Sequence, residues 1–320
     1  MKSRLGVLAR RMSRFWAIAV GAAVVGLGAQ VATAIPGSEV IEKVESQYNL
    51  IIVVKRASEY VMTFGYNKAL YTETVFDETD ELALPVDYTR HMTLGMAYVE
   101  KPVERVLEIG TGGGRTAWYL HKLFPKTEIT TVELDPEVVR LAKKYFKVSE
   151  EPGFKIITAD GRLALTQSTG AYDVILVDAY RGPFVPFHLL TKEFFEAAKS
   201  KLSPGGVMVQ NVEPTTMVFD SAIATIKSVF DNVDFYPSSG NVVIIAYNGP
   251  KLSREELMKR ASARQTECKC RYDLTTLAKD RREPDGALKG QVLTDDFAPV
   301  ETLKAVEKHN QKWIDRTATQ

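Results

Sequence analysis

One stretch constrains the fold more than any other part of the sequence. Residues 106–146 read VLEIGTGGGRTAWYLHKLFPKTEITTVELDPEVVRLAKKYF. A short apolar run is followed by a glycine turn, a segment with helical spacing of apolar residues, a second strand that ends in acids, and a second helix. This order predicts a β-α-β-α unit of a parallel sheet, because strands buried on both faces are almost continuously apolar.

The glycine turn and the acid after the second strand form a nucleoside-binding pattern. Gly110, Gly112 and Gly114 let the backbone approach a ligand closely, and a carboxylate at Glu133 can bind both hydroxyls of a ribose. An NAD fingerprint needs its third glycine where Arg115 stands, and the Gly-Lys-Ser/Thr of a P-loop is absent. The remaining pattern predicts binding of S-adenosylmethionine (SAM) in a class I methyltransferase-like fold.

Four acids are expected at neighbouring strand ends. Glu108 and Glu133 lie at or near the ends of the first two core strands, and Asp160 and Asp178 follow the third and fourth. Ligands of open α/β sheets bind outside the carboxyl ends of the strands. Asp160, which precedes Gly161, can accept a hydrogen bond from the adenine amino group. For any one of these acids, a helix N-cap is the alternative interpretation.

The predicted fold class is therefore α/β. We expect a Rossmann-like SAM-methyltransferase fold with a mainly parallel seven-stranded sheet, preceded by a small antiparallel β unit. That unit would serve as a lid or substrate wall, with a structural or dimerisation appendage as the alternative. The predicted divisions are residues 1–34 (signal peptide or membrane anchor), 35–84 (N-terminal β unit), 85–250 (nucleotide-binding domain, with a helix at 88–99 and an antiparallel strand pair at 232–236 and 242–247) and 251–320 (helical C-terminal extension).

The first 34 residues differ from the rest of the chain. Five basic residues precede residues 15–34, which carry no charge, and Ala32-Thr33-Ala34 resembles a signal-peptidase site. A secretory signal peptide is predicted, with an uncleaved anchor as the alternative, since about 20 apolar residues span a bilayer. Either interpretation predicts an exported (periplasmic or extracellular) or inner-membrane-anchored protein rather than a cytoplasmic one.

Charge and cysteine content exclude other classes. The net charge is +1, which gives no global field for nucleic-acid binding. Cys268 and Cys270 are the only cysteines, and their spacing is too short for an unstrained disulfide. The four histidines are scattered without ligand spacing. We predict no metal site and no nucleic-acid partner.

The chain resembles the spermidine synthase family of polyamine aminopropyltransferases, which are transferases of polyamine biosynthesis. The likeness is greatest to a divergent bacterial branch and covers residues 40–247 and 294–299. The residues that carry it are Glu45-Ser46-Gln47-Tyr48, Tyr88, the glycine turn, Val132-Glu133-Leu134-Asp135-Pro136, Asp160-Gly161, YDVILVD at 172–178, PFHLLTKEFF at 186–195 and Thr294-Asp295-Asp296.

The resemblance implies a reaction and a set of site residues. Decarboxylated SAM would act as a substrate that gives its aminopropyl group to a small-molecule amine, without a metal. Glu133 would bind the ribose, Asp160 the adenine, and Asp178 would be the catalytic carboxylate. The other assignments are cofactor-binding Gly110, Gly112, Gly114 and Gly161, and substrate-binding Tyr88, Tyr180 and Asn49.

Three departures from the family pattern concern the amine end of the site. Gly113 stands where the family has an Asp that contacts the aminopropyl group, and Asn49 stands in place of a Gln. Arg181 replaces a second Asp, and a cation there is expected to repel a diamine. Asp295 and Asp296 are candidate replacement acids, with a solvated turn as the alternative.

Three functions remain open from the sequence. The leading one is an aminopropyltransferase-like enzyme. The second is a SAM-dependent methyltransferase, which the glycine pattern and the missing acid at Gly113 favour. The third is a non-catalytic exported binding protein with the same fold, which export away from the cytoplasmic SAM pool favours. Fold alone does not choose among the three. A homodimer and a membrane anchor through residues 15–34 also stay open.

Overall fold

The computed structural model describes residues 37–67, 69–216, 218–283 and 290–296. Its first unit is an antiparallel sheet in the order β1-β2-β3-β4, which confirms the predicted N-terminal β unit. At its edge, Thr74 of the last strand accepts a hydrogen bond from the glycine turn of the second sheet. The strands are β1 (Glu39–Glu45), β2 (Leu50–Arg56), β3 (Glu59–Tyr66) and β4 (Ala69–Asp77).

Two short helices, α1 (Asp87–Met92) and α2 (Gly95–Tyr98), replace the single helix predicted at residues 88–99. The break falls at Thr93, whose hydroxyl donates to the carbonyl of Arg90 at 2.7 Å. Such side-chain bonds compete with the regular helical ladder. α1 still contains Tyr88, which was predicted to bind substrate, and places it next to the second sheet described below.

The second sheet has seven strands in the order β10-β11-β9-β8-β5-β6-β7. Five strands run parallel, and β11 pairs antiparallel with both β9 and β10. The mainly parallel sheet and its terminal antiparallel pair are both confirmed. The strands are β5 (Arg105–Ile109), β6 (Glu128–Glu133), β7 (Phe154–Thr158), β8 (Tyr172–Val177), β9 (Leu202–Val212), β10 (Asn232–Pro237) and β11 (Val242–Tyr247).

Helices cover both faces of this sheet, and the strand order reverses between β5 and β8. A crevice forms at such a switch point, because the connections leave in opposite directions from the two strands. The glycine turn after β5 and Asp178 after β8 both lie there. The helices that follow the core strands are α3 (Arg115–Leu123), α4 (Pro136–Tyr145), α5 (Gly161–Gln167), α6 (Lys192–Ser200) and α7 (Phe219–Val229).

The C-terminal extension forms α8 (Arg254–Cys268) and α9 (Leu274–Ala278). Arg264 fastens α8 to α2, because its guanidinium donates to the carbonyls of Met96, Val99 and Lys101 at 2.8–3.0 Å. The structure joins Cys268 and Cys270 in a disulfide, although their spacing is short for an unstrained one. The αL conformation of the intervening Lys269 brings the two side chains together.

Gln210 is an unusual residue in the core. It is fully buried in β9, and neither its Nε2 nor its Oε1 has a hydrogen-bond partner among the described residues. We expect Gln210→Met to raise the free energy of unfolding by about 1–3 kcal/mol, since an unsatisfied buried amide is costly. Urea denaturation measures this. The reverse change at buried Met208 should lower stability, and a loss of stability in Gln210→Met would contradict the account.

Candidate active site

The glycine turn brings the end of β5 against the end of β8. Gly110 has φ +91°, and a Cβ there would lie 2.4 Å from the backbone oxygen of Asp178. No other residue is accommodated at this close approach. The Asp178 amide also donates to the Ile109 carbonyl at 2.8 Å. The turn therefore sets the position of Asp178 relative to the end of β5.

Glu133 at the end of β6 is tied to the same turn. One carboxylate oxygen, Oε2, accepts from the amides of Thr111 at 3.0 Å and Gly112 at 3.2 Å. The other accepts from the amide of Asp135 at 3.1 Å. Burial raises its pKa, although these amide bonds oppose the shift. A carboxylate held in this way presents fixed acceptor oxygens beside the turn.

Asp178 is held by two donors. The Tyr88 hydroxyl donates to Oδ2 at 3.1 Å, and Asn211 Nδ2 donates to Oδ1 at 2.9 Å. Burial raises the pKa of Asp178 to about 6, and the two donors oppose that shift. Tyr180 lies beside this group, with its hydroxyl donating to the Asn211 carbonyl at 3.1 Å. The structure thus brings together Asp178 and both tyrosines predicted to bind substrate.

A cavity of about 40 Å³ opens at this point. Its volume suits a group of a few water-sized atoms, such as an ammonium, rather than a nucleoside. Glu108 on its wall is buried, which raises its pKa to about 8 even though Thr131 donates to it at 2.7 Å. The lining residues include Glu73, Thr74, Tyr88, Glu108, Gly110, Gly112, Arg115 and Asp178.

Glu73 is a site residue that the sequence analysis missed. It lies on β4, and its pKa is raised well above the ordinary value by burial and by the negative charges of Asp178 and Glu133. The available signal was a glutamate in the middle of a predicted strand, where this residue type is depleted. Its position over the second sheet is a tertiary feature that local sequence does not specify.

Asp160 and Gly161 lie at the start of α5, after β7. Asp160 Oδ1 accepts from the amide of Leu163 at 2.9 Å and so caps the helix, while Oδ2 lies 3.0 Å from Nε2 of His188. Asp295 binds Arg162 through both carboxylate oxygens at 2.7 and 2.6 Å. Neither Asp295 nor Asp296 lines the cavity around Asp178, so the structure gives no support to a role for them as replacement acids.

Asn49 and Arg181 also lie outside that cavity. Asn49 closes a turn with Ser46, whose hydroxyl binds the Asp135 carboxylate near Glu133. Arg181 is exposed, so the structure gives no support to the expected repulsion of a diamine. Among the described residues, no group of three His, Cys, Asp or Glu side chains could hold a metal ion.

The fold and the site define a class of protein. A seven-stranded, mostly parallel sheet with a glycine turn after its first core strand and acids at neighbouring strand ends is typical of class I methyltransferase-like nucleoside-binding enzymes. The comparisons with known proteins identify the group within that class. Residues 87–242 match the spermine/spermidine synthase domain.

The chain is 30% identical over 281 residues to a polyamine aminopropyltransferase of Vibrio vulnificus, covering 83% of this chain and 92% of that protein. The chain therefore belongs to the polyamine aminopropyltransferase family, whose members are transferases. A probable spermidine synthase from Corynebacterium glutamicum has the same fold, with TM-score 0.63 and 22% identity over 82% of this chain and 98% of its own.

A second group of relatives has a related fold. Human methyltransferase-like protein 13, solved in complex with SAH, aligns with TM-score 0.52 and 26% identity over 66% of this chain and 99% of that one. The methyltransferase alternative thus has a structural counterpart, but it is the weaker of the two functions that the comparisons support.

The predicted export or inner-membrane anchoring is wrong. The relatives that the chain matches are polyamine aminopropyltransferases, and nothing in these likenesses points to export. Residues 1–34, on which that expectation rested, lie outside the described residues. Within the described ranges, no helix has the length and apolar character needed to cross a membrane. The non-catalytic exported protein therefore loses its main argument.

Proposed function

We propose that this protein transfers the aminopropyl group of decarboxylated SAM to an amine acceptor, with Asp178 as the general base. The observation that carries the proposal is the position of Asp178 between Tyr88 and Asn211, beside the glycine turn. Family membership supports the reaction type. We further propose that residues 85–250 form the donor-binding domain, 35–84 the β unit that walls the acceptor site, and 251–320 a C-terminal extension.

The proposed reaction requires a carboxylate, Asp178, to remove a proton from the acceptor amine. An amine acceptor arrives as a cation with a pKa of about 10 and must lose a proton before it can attack. Asp178 attracts the cation and accepts that proton. The free nitrogen then forms a bond to the propyl carbon as the carbon–sulfur bond breaks, and the sulfonium leaves as a neutral thioether, methylthioadenosine. In-line positioning supplies much of the remaining acceleration.

The donor's nucleoside is proposed to lie along the strand ends next to Asp178. Glu133 would accept the ribose hydroxyls, and Gly110, Gly112 and Gly114 would let the donor approach the backbone. Asp160, with Gly161, would bind the adenine. His188, 3.0 Å from Asp160, would have to share that carboxylate with the base or turn away from it.

We expect Glu133→Ala to weaken methylthioadenosine binding about 10- to 100-fold. The change removes charge-assisted hydrogen bonds of about 1.5–3 kcal/mol in total and loosens the amides of Thr111 and Gly112. Isothermal titration calorimetry measures the affinity. Glu137→Ala is the matched control, because that glutamate lies on α4 and pairs with Arg140. An unchanged affinity in Glu133→Ala would refute the assignment of the ribose site.

The pH dependence of turnover follows from the raised pKa of Asp178. A general base must be ionised, and kcat/KM reports the pKa of the free enzyme, so kcat/KM for the acceptor should fall about tenfold per pH unit below the pKa of about 6. A pKa raised by burial makes the folded protein less stable above pH 6 and relieves that cost at lower pH. Protonation of Asp178 therefore does not unfold the protein at low pH, and unfolding through this group does not explain the loss of activity there. A flat kcat/KM between pH 7 and pH 4.5, with the protein folded throughout, would contradict the role of Asp178 as general base.

The proposal is tested by following the nucleoside product with SAM and decarboxylated SAM in separate incubations, each with a panel of diamines and polyamines. We expect methylthioadenosine to accumulate only with decarboxylated SAM and an amine. A methyltransferase would instead form S-adenosylhomocysteine from SAM. Human methyltransferase-like protein 13 was solved with S-adenosylhomocysteine (SAH) bound, so the second outcome is the alternative that the test has to exclude.

A further inference from the structure

Glu73 differs from every other acid around the cavity. Among the described residues, no hydrogen bond or ion pair satisfies its carboxylate, although it is half-buried in the cavity wall. Asp178, Glu108 and Glu133 each accept at least one fixed hydrogen bond. A desolvated, unpaired carboxylate beside two like charges lowers the stability of the folded protein. Such groups concentrate at functional sites.

The neighbouring cations do not compensate this charge. Arg115 lines the same cavity, but its two Nη atoms donate to the carbonyls of Phe146 and Glu81. It forms no ion pair with Glu73. Arg181, the cation expected near the amine, is exposed and absent from the lining. Within the described part of the chain, no cation pairs with the Glu73 carboxylate, so it is available to a cationic ligand.

The structure also explains why this acid comes from β4 and not from the glycine turn. A Cβ on Gly113 would lie 2.4 Å from Thr74 Cγ2 and 2.9 Å from Phe146 Cδ1. Thr74 occupies that space and accepts a hydrogen bond from the Gly113 amide at 2.9 Å. An acidic side chain is therefore excluded at Gly113, while the residue before Thr74 supplies a carboxylate to the same cavity.

We infer that Glu73 is an acceptor-binding carboxylate that holds the cationic amine between itself and Asp178. The inference rests on the proposed function and names its substrate class, a primary amine that arrives protonated, such as a linear diamine or polyamine. The cavity of about 40 Å³ admits an ammonium group. Glu73 stabilises the charge of the arriving amine, and Asp178 takes the proton before the nitrogen attacks the donor.

The test compares Glu73→Gln with the wild-type protein, using the full chain saturated with methylthioadenosine. Calorimetric titration with diamines and polyamines should show at least tenfold weaker amine binding in the variant. Methylthioadenosine affinity should change less than threefold. The melting temperature should rise, because the amide removes an unpaired charge; a merely structural glutamate would lower it. Glu59→Gln is the matched control on the same sheet, since Glu59 pairs with Arg56.

Further results separate this inference from the proposed function. Glu73→Asp, which keeps the charge, should recover part of the amine affinity. If wild-type protein forms aminopropyl product and Glu73→Gln keeps the same acceptor KM, the inference alone is overturned. If wild-type protein binds amines through Glu73 but forms no aminopropyl product, the acceptor site stands and the proposed reaction fails. Amine binding that is absent in the wild type overturns the inference.

Discussion

Replacing Asp178 by Asn is expected to lower kcat by about 100-fold or more while donor affinity changes only a few-fold. The amide keeps the size of the side chain and can still bond to Asn211 and Tyr88, but it cannot accept the acceptor's proton. General-base catalysis typically contributes 10²–10⁴-fold, which sets the scale of the loss. Initial rates at saturating donor and acceptor measure the effect.

The fold should tolerate this change. Burial raises the pKa of Asp178, so its ionised form costs stability above about pH 6, and the neutral amide removes that cost. Asp178→Asn should therefore melt at the same or a higher temperature at pH 7.5. Glu196→Gln, an exposed acid on α6 paired with Lys192, should leave kcat unchanged. Wild-type turnover in Asp178→Asn would remove this residue from the mechanism.

The largest expected effect on stability comes from the buried pair of Asp234 and Arg281. Arg281 Nη2 lies 2.8 Å from Asp234 Oδ1, and the Tyr98 hydroxyl donates to Oδ2 at 2.8 Å. The two side chains are 2% and 8% exposed. Arg281→Met should lower the free energy of unfolding by about 3–5 kcal/mol, because it leaves a buried carboxylate without its counter-ion.

Two variants make that prediction specific. Arg282→Met changes the exposed neighbour and should cost less than about 1 kcal/mol. Combining Arg281→Met with Asp234→Asn should recover part of the loss, since the stranded charge is then removed. Denaturant unfolding of the three variants measures this. A double variant as unstable as Arg281→Met would show that lost packing, rather than the buried charge, sets the cost.

The core of the fold could be predicted because its signals are local. The apolar runs of β5 and β8, the glycine turn between β5 and α3, and the acids after the strands each follow from a few consecutive residues. Parallel strands then place those acids along one edge without further information. Asp178 and Glu133 were predicted to lie at that edge, and the structure places both there; their roles stay predictions.

The amine end of the site could not be predicted in the same way. Glu73 reaches the cavity only because β4 packs against the glycine turn through Thr74, a contact between distant parts of the chain. Arg181 was expected to face the amine, but its short turn with Phe184 leaves the side chain exposed. Sequence patterns give the residue types here, while tertiary packing decides which of them meet.

The central claim, aminopropyl transfer, is tested most directly by a competition between donors. The full-length protein is incubated with equal concentrations of SAM and decarboxylated SAM and one diamine, and the mass of the modified diamine is measured. We predict a gain of one aminopropyl group, lost in Asp178→Asn. A gain of one methyl group, or an unmodified diamine under conditions where the protein binds both diamine and methylthioadenosine, would contradict the proposed function.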